Sequence, residues 1–200
     1  MKSDTIAAIA TALSDAGIGI IRISGPEAIA VANRVVVNKK KEHTLKNWQT
    51  HTIHYGFVEE NGTILDEVMV SVMKAPRSYT TEDTVEINCH GGVLLTKRVL
   101  EAVLHAGARM AEPGEFTKRA FLSGRIDLSE AEAVMDLIQA KNQFSMQASI
   151  KQLRGSVAEK VKSLRAALLY EIAFIESALD DPEHISTDCL LYTSPSPRDL

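Results

Sequence analysis

The apolar residues of this chain recur at two different spacings, one before and one after Pro113-Gly114. Between residues 50 and 74 they alternate with polar residues, and Asn61-Gly62 supplies the two positive-φ positions that a tight hairpin turn needs. Between residues 153 and 179 they recur about every 3.7 residues, the spacing of a helix with one apolar side. The sequence therefore predicts a domain of strands and helices followed by a helical region.

Turn and cap residues divide the first region into further elements. Three more strands are expected where runs rich in Ile, Val or Ala lie between polar turns, at residues 6–10, 17–24 and 84–89. Gly25-Pro26-Glu27 has the composition of a helix start, and this helix is expected to end at Asn38. A second helix is expected over residues 93–106, closed by Gly107.

A long helix with an apolar stripe is the main prediction for the helical region. Asp127 or Ser129 can accept a hydrogen bond at the start of a first, shorter helix. The stripe of the long helix comprises Leu153, Val157, Val161, Leu164, Leu168, Ile172, Ile175 and Leu179. Two helices cannot complete a bundle, so we expect partner helices to be missing. The unpaired stripe should then make the helical region prone to self-association or to fraying.

The overall charge limits what the surface can bind. The 200 residues carry a formal net charge of -4, which argues against a surface built mainly to neutralise phosphates. The one dense basic run, Lys39-Lys40-Lys41, lies beside Glu42 in a polar stretch. We interpret it as a solvated loop rather than as a contact for RNA, so any contact with RNA must be local or lie elsewhere.

Cysteine and histidine spacing indicates neither a disulfide framework nor a metal site. Cys89 and Cys189 lie far apart without a second pair of ligands, which fits a reducing cytoplasm. His51 and His54 also lack further ligands, and we expect them on a strand surface. The N-terminus lacks a signal-peptide pattern, and no run approaches the roughly 18 apolar residues of a membrane span. We therefore expect a cytoplasmic protein.

The final residues, 189–200, depart abruptly from the helical pattern before them. Their sequence, CLLYTSPSPRDL, resembles a translated sequencing-adapter scar, and we leave it out of the fold prediction. The alternative is a natural tail rich in Ser and Pro.

Two charged residues interrupt strands that are otherwise apolar. Arg22 lies within the run GIIRISG, and Glu86 lies between Val85 and Ile87, so alternation puts Glu86 on the opposite side of its strand from both. Such a carboxylate can accept two parallel N–H bonds from a planar heterocycle such as a pterin, and such a guanidinium can bind an anion in a cleft. The alternatives are an ordinary surface charge for Arg22 and a salt-bridged or solvated carboxylate for Glu86.

Two glycine-containing turns hold further candidates. Arg125 follows Gly124 at a break between two helices, where its guanidinium can reach a neighbouring cleft or pair with Asp127. His90 precedes Gly91-Gly92 at an expected helix start, where bare backbone N–H groups can bind an anion. Equally, the two glycines can serve only the turn, with His90 capping it.

Taken in this order and spacing, the motifs resemble the MnmE (TrmE) family of tRNA-modification GTPases. The segments that resemble it are DTIAAIAT at 4–11, GIIRISG at 19–25, SYTTEDTVEINCHGG at 78–92, PGEFTKRAFLSGRIDLSEAEAVMDLI at 113–138 and ALDDPEHI at 178–185. The resemblance implies an α+β, mixed-sheet, tetrahydrofolate-binding N-terminal domain at residues 1–123, similar to that of the glycine-cleavage aminomethyltransferase. It then implies the first helices of an all-α helical domain at residues 124–188, with the G domain absent.

The resemblance also implies a function. The N-terminal domain is expected to form a homodimer and to bind a reduced folate, 5-formyl- or methylene-tetrahydrofolate, through Arg22, Glu86 and Arg125. In the family this folate supplies a one-carbon unit for an aminomethyl-type group at C5 of the wobble uridine of tRNA. The flavoprotein MnmG is the partner, and GTP hydrolysis with K⁺ and Mg²⁺ drives the cycle.

The nucleotide-binding half of that function has no counterpart in this sequence. It contains no G-x-x-x-x-G-K-S/T phosphate loop, and the family's C-terminal cysteine motif is absent too. We therefore expect an N-terminal part without catalytic residues or a metal site, inactive as a GTPase on its own. Two other interpretations remain open: a stand-alone folate-dependent aminomethyltransferase, and a purely structural dimerisation module with a dead folate pocket.

Overall fold

The computed structural model describes residues 4–180, which divide into two compact units between Ile126 and Asp127. In the first unit, the described residues form one seven-stranded sheet and three α-helices. In the second, they form three α-helices. An α+β unit followed by a helical one is the fold class that the sequence predicts.

The sheet of the first unit is mixed, as expected. Its strands are β1 (Ile6–Ile9), β2 (Ala16–Ser24), β3 (Val36–Val37), β4 (Thr52–Glu60), β5 (Thr63–Met73), β6 (Thr84–Gly91) and β7 (Arg109–Met110). The spatial order is β3-β4-β5-β6-β2-β1-β7. All neighbours are antiparallel except β1 and β7, which are parallel. This order brings β2 beside β6, although the β4/β5 hairpin separates them in sequence.

The β4/β5 hairpin turns at the predicted dipeptide. Asn61 and Gly62 have φ values of 52° and 79°, the left-handed conformation that both positions of such a turn require. Val68, Val70 and Val72 alternate along β5 and are all buried. Register and alternation therefore agree with the period of two read from the sequence.

Two helices, α1 (Ala28–Val35) and α2 (Val93–His105), cover one face of the sheet. Their buried side chains form a single cluster with those of the strands: Ile21, Ile23, Val31, Val70, Val85, Ile87 and Val99 are among its members. Burying each side chain of this size contributes about 1.5–3 kcal/mol. Helix α1 ends at Val35, earlier than the predicted Asn38, because the β-branched Val36 and Val37 pair with β4 as a short strand.

The opposite face of the sheet is largely accessible to solvent. Ile18 and Ile53 are each 61% exposed, Met69 is 52% exposed and Tyr55 is 46% exposed. They occupy the alternate positions to the buried residues of their strands, so they point to this side. We call this surface the open face; Arg22 and Glu86 lie on it as well.

The described part of the second unit consists of α4 (Leu128–Gln139), α5 (Gln143–Leu153) and α6 (Ser156–Asp180). The predicted long helix is confirmed as α6 from Val157 to Leu179, but Leu153, the first residue of the predicted stripe, ends α5 instead. Gly155, with φ of 79°, takes the left-handed conformation that ends a helix and separates α5 from α6. The stripe on α6 is exposed, as the 61% exposure of Leu164 and the 56% exposure of Leu168 show.

Asp127 begins α4 with the predicted cap. Its carboxylate accepts a hydrogen bond from the N–H of Glu130 at 2.8 Å, and Oε2 of Glu130 accepts one from the N–H of Asp127 at 2.8 Å. These reciprocal bonds satisfy backbone donors that the first helical turn leaves without partners.

Removing this cap should loosen the start of α4. In the Asp127→Ala variant, we expect amide hydrogens of the first turn of α4 to exchange about fivefold faster, because they lose their acceptor. Asp127→Asn keeps an accepting oxygen and is the matched control. Hydrogen–deuterium exchange followed by mass spectrometry measures both, and equal exchange in the alanine variant and the parent would contradict the role of the cap.

Candidate functional site

Arg22 and Glu86 form an ion pair on neighbouring strands of the open face. The antiparallel register of β2 and β6 sets the two residues directly opposite each other. Nε and Nη2 of Arg22 both lie 2.8 Å from Oε1 of Glu86. The side chains are 31% and 21% exposed, so the pair is partly desolvated but remains accessible to a ligand. The salt-bridged alternative for Glu86 is what the structure shows.

One oxygen of the Glu86 carboxylate is open. Both contacts from Arg22 are made to Oε1, and among residues 4–180 no donor is bound to Oε2. The Arg22 guanidinium carbon also lies 5.7 Å from the ring centroid of Phe116, a cation–π distance. The arrangement therefore presents a fixed acceptor beside a guanidinium, which suits the N–H edge of a polar heterocycle.

Arg125 contacts Tyr79 rather than this ion pair. Its Nη1 donates to the carbonyl oxygen of Tyr79 at 2.9 Å, and its guanidinium carbon lies 5.0 Å from the Tyr79 ring centroid. The Tyr79 hydroxyl lies 3.1 Å from Oγ1 of Thr117 in helix α3 (Glu115–Leu122). Phe116 precedes Thr117, so α3 links the two parts of the site. Asp127, the alternative partner of Arg125, caps α4 instead.

A group of charged side chains holds α3 in place. Arg119 lies 2.8 Å from the carboxylate of Asp4, 3.1 Å from that of Glu82 and 3.0 Å from that of Glu115. Arg109 lies 2.6 Å from Asp4 and 2.8 Å from Glu115. We call these five residues the Arg119 network.

The Arg119 network connects α3 to the strand that carries Arg22. Oε2 of Glu82 also accepts a hydrogen bond from Oγ of Ser24 at 2.9 Å, and Ser24 is the last residue of β2. The Arg119 side chain is only 12% exposed, so solvent screens its contacts with Glu82 and Glu115 less than its contact with Asp4, whose side chain is 55% exposed. The network thus fixes where Phe116 lies relative to Arg22.

Two carboxyl groups of the network have lowered pKa values. The pKa of Asp4 is lowered to about 2 and that of Glu115 to about 2, in both cases mainly by hydrogen bonds from Arg109. Arg119 adds a smaller contribution to each. Both groups therefore stay ionised in the folded protein at pH values where they begin to protonate in the unfolded chain.

These pKa values predict that the first unit loses stability in acid. The ordinary pKa values are 3.8 for Asp4 and 4.5 for Glu115, so the unfolded state binds more protons than the folded state between about pH 5 and pH 2. The free energy of unfolding should fall as the pH falls through this window. Urea unfolding at several pH values checks this, and Glu115→Gln should show a shallower loss. Equal pH slopes in the variant and the parent would exclude Glu115 as a contributor.

The alternative in which His90 caps the helix start was wrong, because Gly92 is the N-cap residue of α2 and, within the described residues, no side chain accepts a hydrogen bond there. The N–H and Nδ1 of His90 each lie 2.8 Å from a carboxylate oxygen of Asp66, so that N–H is already bound to a protein acceptor. A Cβ on Gly91 would lie 2.4 Å from the carbonyl oxygen of Ala16, so only glycine permits this approach of β2 and β6. Gly91 therefore serves strand packing.

Histidines and cysteines show no metal-binding arrangement in the described range. His54 stacks on Trp48 with ring centroids 3.9 Å apart, and residues 4–180 hold no group of three side chains suited to a metal ion. Cys89 is buried, and burial raises the pKa of its thiol. Cys189 and the tail at 189–200 lie outside the described residues. No helix within residues 4–180 is long and apolar enough to cross a membrane.

Arg22, Glu86 and Arg125 stay predicted site residues, and the sequence did not indicate their contacts with Phe116 and Tyr79 or the Arg119 network. The spacing of Glu115 and Arg119 on a helix was a signal for one ion pair of that network. The contacts to Asp4 join residues more than a hundred positions apart and leave no local pattern.

These features define a class: an α+β domain whose mixed sheet carries an accessible Arg–Glu pair on one face, followed by a helical unit. The chain belongs to the family described as GTP-binding protein TrmE N-terminus, which matches residues 5–125. Residues 128–191 match the MnmE helical domain.

Relatives named tRNA modification GTPase MnmE match nearly the whole chain. The protein of Lachnoclostridium phytofermentans is 60% identical over 188 residues, which is 94% of this chain and 41% of the relative. The protein of Listeria welshimeri is 52% identical over 184 residues, 92% of this chain and 40% of the relative. That of Carboxydothermus hydrogenoformans is 51% identical over 186 residues, with the same two shares. The chain thus spans about 40% of the length of these relatives.

Proposed function

We propose that this chain binds a reduced folate on its open face, as part of a GTPase that modifies tRNA. The observation that carries the proposal is the carboxylate of Glu86, which Arg22 holds through Oε1 while Oε2 stays open. A pterin presents an amino group and a ring N–H along one edge, and a carboxylate in a fixed orientation is a matching acceptor. Both 5-formyl- and methylene-tetrahydrofolate have this edge.

The surroundings of the pair suit the remainder of such a ligand. The register aligns Arg22, Glu86, Ser71 and Ile53 in one row across four strands. The p-aminobenzoyl ring of a folate can lie over this part of the open face, with Ile53 and the neighbouring Tyr55 as apolar surface. Arg125, stacked on Tyr79, is proposed to reach an anionic or carbonyl group of the bound folate.

A homodimer formed through the first unit is part of the proposal. Ile18, Ile53, Tyr55 and Met69 expose large apolar side chains on the open face. Such a cluster is typical of a surface that another protein covers, and a second copy of the chain would place the folate near the interface.

The function of the whole protein is proposed from its relatives. We infer that it works in the cytoplasm with the flavoprotein MnmG on tRNA. There, the folate one-carbon unit would become an aminomethyl-type group at C5 of the wobble uridine. We propose GTP hydrolysis with K⁺ and Mg²⁺ for the whole protein and not for this chain alone, because this chain contains no phosphate-loop motif. This chain's own contribution would be to bind and orient the folate.

Calorimetric titration with 5-formyltetrahydrofolate, combined with sedimentation of the same sample, tests the proposal. We expect micromolar binding by a dimer. Met69→Lys should separate the dimer, whereas Leu94→Lys is a matched control because Leu94 is 77% exposed on α2, away from the open face. A folded dimer without folate binding would favour the structural dimerisation module. One-carbon transfer by the chain alone would favour the aminomethyltransferase.

A further inference from the structure

The basic run Lys39-Lys40-Lys41 lies in an ordered turn. Oδ1 of Asn38 accepts hydrogen bonds from the N–H of Lys40 at 2.8 Å and of Glu42 at 3.0 Å. The N–H of Lys41 donates to the carbonyl oxygen of Asn38 at 2.9 Å. All three lysines are exposed. We call these three residues the lysine turn; its backbone is fixed although its side chains are solvated.

The lysine turn borders the open face. Nζ of Lys39 lies 5.5 Å from the ring centroid of Tyr55, a side chain of that face. The register pairs Tyr55 with Met69 and Met69 with Asn88, and Asn88 lies two residues after Glu86 on the same strand. The ammonium group and the Arg22–Glu86 pair therefore border the same surface.

The spacing between these groups matches the layout of a folate. Tyr55 and Glu86 are separated by two strand spacings, about 10 Å, and by two residues along the strands, about 7 Å. A folate with its pterin at Glu86 and its p-aminobenzoyl arm directed towards Tyr55 would bring its glutamate end to the side of Lys39. The glutamate is the anionic end of the molecule, and Lys39 is cationic.

We propose that the lysine turn binds the γ-linked glutamate tail of a polyglutamylated folate. This inference rests on the proposed folate site. Each added glutamate contributes a carboxylate, and three clustered ammonium groups attract such a chain more strongly than a single one. The carboxylates of Glu42 and Glu67 oppose this attraction, because Glu42 adjoins the turn and Glu67 lies on the open face opposite Phe57. The three lysines outnumber them.

Binding of 5-formyltetrahydrofolate with one and with three glutamates tests the proposal on the whole chain. The parent should bind the triglutamate about tenfold more tightly than the monoglutamate at low ionic strength. This ratio should shrink to about one in 0.5 M NaCl, because salt screens exposed charges. Replacing all three residues of the lysine turn with glutamine should reduce the ratio to about one, because triglutamate binding then weakens about tenfold more than monoglutamate binding.

A matched control removes equal charge elsewhere. The triple variant Lys160→Gln, Lys162→Gln, Arg165→Gln alters exposed residues of α6 and should keep the tenfold ratio. Equal binding of the two ligands by the parent would overturn the inference while leaving the folate site established. Loss of the ratio in the α6 variant as well would overturn it in favour of non-specific charge attraction. No binding of either ligand by the parent would overturn the folate site and the inference together.

Discussion

Replacing Glu86 with alanine is expected to weaken binding of 5-formyltetrahydrofolate about tenfold to a hundredfold, because the charge-assisted hydrogen bond that Oε2 accepts, of about 1.5–3 kcal/mol, is lost. The variant would also leave the guanidinium of Arg22 without its partner at 2.8 Å. Calorimetric titration measures the affinity. Circular dichroism establishes that the variant is folded, which we expect because Glu86 lies outside the buried cluster.

Two control variants sharpen this test. Glu67→Ala removes another carboxylate from the open face and should leave binding of the monoglutamate unchanged. Glu86→Gln keeps one accepting oxygen but loses the charge, so its affinity should fall between those of the parent and Glu86→Ala. Binding by Glu86→Ala within threefold of the parent would show that the pterin edge is not held by this carboxylate.

Replacing Arg119 with alanine is expected to lower the free energy of unfolding of the first unit by about 2–3 kcal/mol. Arg119 is 12% exposed and pairs with Glu115 and Glu82, whose side chains are 11% and 21% exposed. Its loss would leave these partly buried carboxylates close together with less compensating charge. Urea unfolding followed by Trp48 fluorescence is suitable, because Trp48 is the single tryptophan of the chain and lies in the first unit.

The matched control for this prediction is Arg98→Ala. Arg98 also pairs with two carboxylates, those of Glu60 and Glu101, but its side chain is 50% exposed. Exposed pairs of this kind contribute little, so the change should stay below about 0.5 kcal/mol. Equal effects of the two substitutions would contradict a structural role for the Arg119 network.

The elements that the sequence predicts well are those that local rules determine. The β4/β5 hairpin follows from alternation and from two residues that tolerate positive φ, Asn61 and Gly62. The start of α4 follows from the capping box of Asp127 and Glu130. In both cases the interactions join residues that are close in sequence.

The elements that it misses depend on distant partners or on a single residue. Strands β3 and β7 each contain two residues, too few for an alternating pattern, and form only because β4 and β1 lie beside them. The break between α5 and α6 depends on Gly155, whose left-handed conformation interrupts an apolar period that continues on both sides. The spacing of apolar residues therefore does not indicate that the helix ends at this position.

The candidate site shows the same division. Alternation places Glu86 on the face opposite Val85 and Ile87, as the sequence predicts, but its partner becomes evident only when β2 pairs with β6. The position of Arg125 against Tyr79 depends on how α3 is held, and the Arg119 network that holds α3 is assembled from distant segments. The candidate residues could therefore be chosen from the sequence, whereas the contacts between them became evident only in the folded structure.

A crystal structure of the chain bound to 5-formyltetrahydrofolate tests the central claim most directly. We expect the amino-bearing edge of the pterin to lie about 2.9 Å from Oε2 of Glu86, with the rest of the ligand along the open face. The competing location is a cavity of about 770 Å³ lined in part by Thr5, Pro26 and Gly107. Folate bound in that cavity, without a contact to Glu86, would show that the open face is not the folate site.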